Sequence, residues 1–425
     1  MYNKSVLENG IRIISEEIKH IRSVSIGLWV QSGSRQENNN NNGVAHFLEH
    51  MLFKGTKERN CLEIARAVDS IGGVANAFTG KEATAYYVKI PDYHLPSAVS
   101  LLADIFQNSL FDREEMTKEK AVIEQEINMV EDTPEDQIHD LFEEVFWGKN
   151  LLAQPVLGTK KSLAGIDRDK LLDFYNGHYR GANLIVAAAG NLKHRDFVSL
   201  INSSFKKLKS NAVLSGMAPP AASAQVFIKN KALEQAHLLI GSLAPSAASP
   251  QRFTGLLLNT ILGGSMSSRL FQEIREKRGL AYAISSFLVP YQDTGMIGIY
   301  AGTAEEKAPA VVKLIKDEMA RMAGRQVSPK EMRLARELIK GNLLLGMENT
   351  DNVMFRLAKN ESCCGRNITV PEVLEEIDAV TSRDIRRMAQ ELFNPEIVSL
   401  AAIGNLQEDD FNETRIPQAK RSGIR

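Results

Sequence analysis

Hydrophobic and polar residues follow one another in patterns that predict a mixture of strands and helices. Residues 23–31 alternate as a strand, with Ile26, Leu28 and Val30 on one side. The elements predicted after this strand are helices at 43–54 and 62–71, strands at 76–79 and 83–90, and helices at 96–107 and 112–131. Strands followed by helices predict an α+β fold.

The two halves of the chain resemble each other. The segment AAAGNL at 187–192 returns as AAIGNL at 401–406, so that Gly190 and Gly404 lie 214 positions apart. The pair Glu115-Met116 likewise returns as Glu331-Met332 after 216 positions. Because the two offsets nearly agree, we infer a tandem duplication of about half the chain.

This repeat predicts two homologous domains. Residues 209–224 are rich in Ser, Asn, Gly and Pro, a composition typical of a linker. We therefore expect an N-terminal domain at 1–210, a linker at 211–224 and a C-terminal domain at 225–425. Each domain should be a mixed or antiparallel sheet with helices packed on one face. The polar segment at 408–425 is expected to be a tail.

Composition excludes several classes of protein. The 51 basic and 52 acidic residues give a formal net charge of −1, so no overall field attracts nucleic acid or an anionic membrane. No stretch approaches the roughly 18 apolar residues of a membrane span, and the N-terminal residues do not form a secretory signal. Cys61, Cys363 and Cys364 form no disulfide framework, and the adjacent pair is expected to consist of small buried thiols. We expect a cytoplasmic protein with no nucleic-acid or membrane partner.

A histidine pair on the first predicted helix indicates a metal site. His46 and His50 are four residues apart, so their imidazoles project from the same helical face and can supply half of a tetrahedral zinc site. Glu49 lies beside them and could accept a proton from water at the metal. The order H-x-x-E-H is the inverzincin signature. Apolar neighbours place the histidines against a core, where an unpaired imidazole is costly.

A third ligand is expected on the helix predicted at 112–131. Glu119 and Glu126 are seven residues apart on one face of that helix, whereas Glu124 and Glu131 point towards solvent. The two inward glutamates fall within an apolar arc formed by Met116, Val122, Ile123, Ile127 and Val130. A carboxylate inside such an arc needs a partner, and a cation is suitable. Helical geometry alone does not choose between Glu119 and Glu126.

The segment VAHFLEHMLFKGT at 44–56 resembles the pitrilysin family of zinc metallopeptidases, including its short bacterial members related to mitochondrial processing peptidase. In that family the third ligand is a glutamate about 75 residues after the second histidine, which corresponds to Glu126. The resemblance therefore implies one Zn²⁺ per chain, held by His46, His50 and Glu126. It also implies that Glu49 is catalytic and that Glu119 supports catalysis. The second half retains no such site, because Glu126 corresponds there to Asn342.

The resemblance extends to substrate binding. Asn76 and Ala77 match a family strand that pairs with an extended peptide, which is β-augmentation. Arg275 and Tyr282 match an Arg/Tyr pair that contacts the substrate in the family; such residues otherwise form ordinary surface contacts. The implied activity is zinc-dependent endopeptidase hydrolysis of peptides or short unfolded segments held in a clamshell cavity.

Partner chains follow from the same resemblance. Short members usually work as two-chain clamshells, and this sequence carries both the zinc motif and the Arg/Tyr pair. We therefore expect a homodimer in which Arg275 and Tyr282 of one chain complete the zinc site of the other, with a heterodimer as the alternative. Two other functions compete with the enzyme: a noncatalytic structural or processing subunit, and a zinc-dependent module that holds peptides without cleaving them. The complete zinc motif argues against the first, because noncatalytic relatives typically lose it, and the intact Glu49 argues against the second.

Overall fold

The computed structural model describes residues 2–211, 219–221 and 224–414. The predicted linker at 211–224 and the predicted tail at 408–425 therefore lie partly outside the described residues. No helix within these ranges is both long and apolar enough to cross a membrane. The strands are β1 Tyr2–Val6, β2 Arg12–Glu17, β3 Ser23–Val30, β4 Val74–Thr79, β5 Thr84–Pro91, β6 Leu184–Gly190, β7 Val226–Asn230, β8 Ala236–Leu243, β9 Ala281–Pro290, β10 Gly295–Thr303 and β11 Ser399–Gly404.

The helices confirm the predicted elements of the first half to within three residues at either end. They are α1 Val44–Met51, α2 Cys61–Ser70, α3 Leu95–Asn108, α4 Arg113–Asp132, α5 Pro134–Trp147, α6 Lys160–Ala164, α7 Arg168–His178, α8 His194–Phe205, α9 Arg252–Leu262, α10 Ala308–Gly324, α11 Pro329–Gly346, α12 Thr350–Cys364, α13 Val370–Ala379 and α14 Ser382–Leu392.

Contacts group the chain into two compact units. The first is drawn from the described residues of Met1–Met129, Gln154–Met217 and Leu344–Asn367, and the second from those of Val130–Ala153, Ala218–Leu343 and Ile368–Arg425. Each unit contains one sheet with helices packed against it. The predicted α+β class is thereby confirmed. The domain boundaries expected at residues 210 and 225 stay predictions.

The first unit is built on a six-stranded sheet of order β1-β2-β6-β3-β5-β4, which leaves β1 and β4 at its edges. Only the β2/β6 pair is parallel. Ile26, Leu28 and Val30 of β3 enter the main core together with Phe47 and Leu48 of α1. The alternation read from the sequence therefore identifies the face of the sheet that carries α1.

The opposite face of this sheet is covered by α12, which comes from the C-terminal half of the chain. Met354 and Leu357 of α12 are buried against Trp29 and Ile185 of β3 and β6. These strand residues alternate with those that face α1, so the sheet is buried on both sides. The helices expected on one face of the sheet lie on the side of α1, and α12 is an additional helix on the opposite side.

The second unit has a five-stranded sheet of order β7-β11-β8-β10-β9. One face packs on a core formed with α9, α10 and α14. The other face is covered by α5, a helix from the N-terminal half, whose Ile138 and Phe142 are fully buried against β8, β10 and β11. A Cβ atom at Gly241 would lie 2.6 Å from the Phe142 ring, so the close approach of α5 requires glycine there. Each unit thus takes one helix from the other half.

The two sheets repeat one topology. Strand β6 is parallel to β2 and antiparallel to β3, and β11 is parallel to β7 and antiparallel to β8. Each repeated strand ends in a glycine with positive φ, 142° at Gly190 and 155° at Gly404. At Gly190 a Cβ atom would approach the Ser23 carbonyl oxygen to 2.2 Å. The repeated AAxGNL segments therefore occupy equivalent strands, as a duplication requires.

Candidate metal centre

Three side chains of the first unit converge between α1 and α4. The Nε2 atoms of His46 and His50 lie 3.6 Å and 3.7 Å from the same carboxylate oxygen of Glu126. One possible ligand atom from each of the three residues lies within 4.8 Å of the other two, and we call this set the three-donor group. The helical spacing of the histidines and the inward face of α4 bring together the ligand set expected from the sequence.

The geometry of this group fits a zinc ion. In a tetrahedral site with metal–ligand distances of about 2.0–2.2 Å, neighbouring ligand atoms are about 3.3–3.6 Å apart. The two imidazole-to-carboxylate distances of 3.6 Å and 3.7 Å are close to that spacing and too long for direct hydrogen bonds. His46 is 8% exposed, and its Nδ1 atom has no hydrogen-bond partner among the described residues. A cation between the three donors would compensate for this burial.

The protonation of His46 also suits metal binding. Burial lowers the pKa of His46 to about 4, and the positive charge of a protonated His50 contributes in the same direction. The imidazole is therefore neutral at physiological pH. A neutral imidazole has the lone pair that a metal ligand requires.

Glu119 occupies a different position from Glu126. It is 4% exposed, and its Oε1 atom accepts a hydrogen bond of 2.8 Å from His50 Nδ1. Its Oε2 atom forms an ion pair of 2.6 Å with the Lys54 ammonium group. Because a carboxylate only accepts, the His50 proton is on Nδ1 and the Nε2 lone pair is directed to the metal group. The structure thus distinguishes two glutamates that helical spacing leaves equivalent.

The Glu119 contacts change the acidity of both partners. Burial lowers the pKa of His50, but the hydrogen bond to Glu119 and the charge of Glu126 outweigh it and raise the pKa above its ordinary value. Burial raises the pKa of Glu119, but its hydrogen bonds from His50 and Lys54 outweigh that effect and lower the pKa. Glu119 is accordingly ionised and stabilises a proton on His50.

The apolar arc expected on α4 is only partly correct. Met116, Ile123 and Ile127 are buried, as predicted. Val122, however, is 46% exposed. Helical periodicity identified the correct side of α4 but overestimated the width of its buried stripe.

Glu49 lies on α1 between the two histidines in sequence and is outside the three-donor group. The Thr79 hydroxyl, at the end of β4, donates a hydrogen bond of 2.5 Å to Glu49 Oε2. Burial raises the pKa of Glu49, although the Thr79 hydrogen bond opposes this rise. A carboxylate whose pKa is shifted towards neutrality is better suited to accept and return a proton near pH 7.

The predicted peptide-binding strand is β4, an edge strand of the first sheet. Asn76 is exposed and Ala77 is partly buried. The Ala77 amide donates to the Asn76 side-chain oxygen at 2.8 Å. That side chain occupies the hydrogen-bonding position that an added strand would use.

Arg275 and Tyr282 lie together in the second unit. Arg275 is on the short helical segment Phe271–Glu276, and Tyr282 is on β9 and 79% exposed. The guanidinium carbon of Arg275 is 4.8 Å from the Phe271 ring centroid and 5.1 Å from that of Tyr282. The predicted pair is therefore a preassembled cation–π contact.

Sequence reasoning did not single out Lys54 and Thr79. Lys54 is three residues beyond the end of α1, and Thr79 shares with Ala77 one side of β4. Alternation along β4 could have indicated that Thr79 faces α1, the helix that carries Glu49. The contact of Lys54 with Glu119 had no local sequence signal, because the two residues are 65 positions apart.

Comparisons with known proteins identify the family. Residues 12–160 match the model described as Insulinase (Peptidase family M16), and residues 165–339 match the model described as Peptidase M16 inactive domain. The chain is 37% identical over 408 residues to the uncharacterized zinc protease YmxG of Bacillus subtilis, covering 96% of this chain and all of the relative. It is 38% identical to an uncharacterized zinc protease of Streptomyces coelicolor, covering 95% and 90%.

Two solved structures have the same fold. A structure titled peptidase M16 inactive domain from Pseudomonas fluorescens superposes with a TM-score of 0.89 at 20% identity, covering 96% of this chain and 98% of that one. A protease from Helicobacter pylori gives a TM-score of 0.89 at 20% identity, with coverage of 95% and 99%. The chain therefore belongs to the insulinase family of peptidases, family M16, in agreement with its resemblance to the pitrilysin family.

Proposed function

We propose that this protein is a zinc metalloendopeptidase with one zinc ion per chain. The observation that carries the proposal is the convergence of His46, His50 and Glu126, with Glu49 on the same helix. The names of the relatives, which are zinc proteases, support the same assignment. Peptide hydrolysis that disappears on removal of zinc and returns on its addition tests the proposal.

The side chains around the group divide the chemistry between them. A zinc ion bound there would supply Lewis-acid polarisation of the scissile carbonyl and would acidify water at the site. Glu49 accepts the proton of the attacking water and returns it to the leaving amine, so that no net proton is consumed by the enzyme. Thr79 orients the carboxylate of Glu49. Glu119 holds the His50 imidazole in the tautomer that leaves Nε2 free as a ligand.

The substrate class follows from the edge strand. An extended peptide that adds to β4 would bond to its outward backbone groups, after the Asn76 side chain has moved from the Ala77 amide. Binding of this kind uses hydrogen bonds to the peptide backbone, so the bound segment of the substrate must be unfolded. Peptides and short unfolded stretches of proteins are therefore the proposed substrates.

Arg275 and Tyr282 are proposed to act on the substrate near the scissile bond. A guanidinium or a phenol hydroxyl could stabilise the negative charge that develops on the carbonyl oxygen. We assign this role in trans, within a homodimer that closes as a clamshell, so that the pair of one chain completes the zinc site of the other.

Co-expression of two inactive variants tests the arrangement in trans. A Glu49→Gln chain and an Arg275→Ala chain, carrying different purification tags, should together recover about a quarter of the wild-type activity. Half of randomly assorted dimers would be mixed, and each mixed dimer would hold one complete site of two. Activity no greater than the sum of the separately expressed variants would contradict the arrangement in trans.

Zinc binding is expected to release a proton from His50. Because the pKa of metal-free His50 is raised, its imidazole keeps a proton to higher pH than an ordinary histidine does, and zinc affinity should fall as pH decreases through that pKa. Glu119→Gln should reduce the number of protons released, since it removes the charge that stabilises the imidazolium. Calorimetry in two buffers with different ionisation enthalpies measures this number.

The matched control is Glu124→Gln, which removes an exposed carboxylate from the same helix. It should leave the proton count at the wild-type value. Equal proton release by wild type and Glu119→Gln would refute the proposed His50–Glu119 coupling.

A further inference from the structure

A buried carboxylate outside the metal group lies at the start of the metal-binding helix. Glu37 is 2% exposed and follows a short helical turn at Ser34–Gln36. It belongs neither to the three-donor group nor to the contacts of Glu49 and Glu119. A carboxylate this deeply buried is costly unless its oxygens are hydrogen-bonded.

The Glu37 oxygens are directed at the first turn of α1. Oε1 accepts a hydrogen bond of 2.8 Å from the backbone amide of Ala45. Oε2 accepts one of 2.8 Å from the amide of Gly43 and one of 2.9 Å from the Asn42 side-chain amide. One side chain thus binds two backbone donors that helix geometry leaves without partners.

The first turn of α1 has no cap of its own. Its N-cap residue is Gly43, which has a φ of 91° and no side chain that could accept a hydrogen bond. The helix is eight residues long, too short to be stable by itself in water. Glu37, six residues before the N-cap, supplies the missing acceptor. Burial raises the pKa of Glu37 to about 7, and the hydrogen bonds from Ala45, Gly43 and Asn42 oppose that rise.

Neighbouring backbone explains why the cap comes from a distance. A Cβ atom at Gly43 would lie 2.8 Å from the Leu157 carbonyl oxygen, so a capping side chain at this position is sterically excluded. Asn42 also donates a hydrogen bond of 3.0 Å to the Pro155 carbonyl. The start of α1 is therefore held between Glu37 on one side and the chain at 155–158 on the other.

We propose that Glu37 is a positioning residue for the metal centre. By fixing the first turn of α1, its carboxylate fixes the direction in which His46 and His50 face Glu126. His46 follows directly after Ala45, whose amide Glu37 binds, so displacement of this turn moves a ligand. The inference rests on the proposed zinc function.

The test replaces Glu37 by Gln. Glutamine has the same shape, but its side-chain NH2 group would face the N–H donors that Glu37 accepts from. We expect zinc affinity to weaken by about ten- to hundredfold, as for other residues that orient metal ligands. In the metal-free protein, hydrogen exchange at the α1 amides should accelerate by about fivefold or more. Both are measured at a temperature at which the variant is fully folded by circular dichroism.

The control is Glu361→Gln in α12. Glu361 is also 2% exposed and ion-paired, but it packs on the opposite face of the same sheet. The Glu361→Gln variant should be less stable than wild type, with no change in zinc affinity or in hydrogen exchange at the α1 amides. If Glu37→Gln does not fold, Asn42→Ala removes one of the three hydrogen bonds to Glu37, together with the bond to the Pro155 carbonyl, and should change both readouts in the same direction by less.

The outcomes separate this inference from the proposed function. Wild-type zinc affinity and wild-type α1 exchange in a folded Glu37→Gln or Asn42→Ala variant would overturn the role of Glu37. A wild-type protein that binds no zinc would overturn the proposed function. The exchange measurement on metal-free protein would then still decide whether Glu37 holds α1.

Discussion

Replacement of Glu49 by Gln is expected to reduce peptide hydrolysis by about 10³-fold or more while zinc remains bound. Glutamine keeps the size of the side chain and can still accept the Thr79 hydrogen bond, but it cannot take a proton from water. Because Glu49 is outside the three-donor group, the affinity for zinc should stay within about threefold of wild type.

Two measurements on the same preparation check this expectation. Metal analysis gives the zinc content, and a fluorogenic peptide gives kcat and KM. Glu124→Gln, an exposed substitution on α4, should behave as wild type in both. Loss of zinc from Glu49→Gln, or hydrolysis near the wild-type rate, contradicts the assignment of Glu49 as the general base.

A chain that ends at residue 210 is expected not to fold cooperatively. It contains the first sheet but lacks α12, so the face formed by Trp29 and Ile185 loses its cover. Met354 and Leu357 are 0% and 1% exposed, and loss of a single buried side chain of this size costs about 2–5 kcal/mol. Loss of the whole helix therefore approaches the total stability of a domain, about 5–15 kcal/mol.

Co-expression of residues 1–210 with residues 225–425 supplies the comparison. The two fragments together contain α5 and α12, and each can return its helix to the other's sheet. We expect a soluble complex from co-expression and aggregated or molten protein from 1–210 alone. A cooperative thermal transition of the isolated 1–210 fragment would refute the dependence on α12.

Much of the fold and site could be predicted because the signals were local. Alternation in β3 identified Ile26 and Leu28 as core residues, and the four-residue spacing of His46 and His50 placed both on one helical face. The inward face of α4 required only the 100° helical increment. Each of these inferences used the period of one element and no knowledge of its neighbours.

The sheet against which a helix packs, in contrast, cannot be predicted from the hydrophobic periodicity of that helix. The pattern of α12 shows that one side must be buried, but either sheet could bury it, and the chain order favours the wrong one. The same holds for individual contacts across long separations. Lys54 forms an ion pair with Glu119, a residue far away in the sequence. Glu37 caps a helix by accepting hydrogen bonds from backbone amides, and residue types do not show which amides these are.

Hydrolysis of a mixed peptide library by the purified wild-type protein tests whether this chain is a zinc endopeptidase. The reaction is followed by mass spectrometry without additions, with a zinc chelator, and after the chelated protein has been reloaded with zinc. Glu49→Gln protein purified in parallel controls for contaminating peptidases. We expect cleavage that the chelator abolishes and zinc restores, and we expect none by the Glu49→Gln variant. Absence of cleavage by wild-type protein with one zinc per chain would contradict this expectation and favour a noncatalytic subunit.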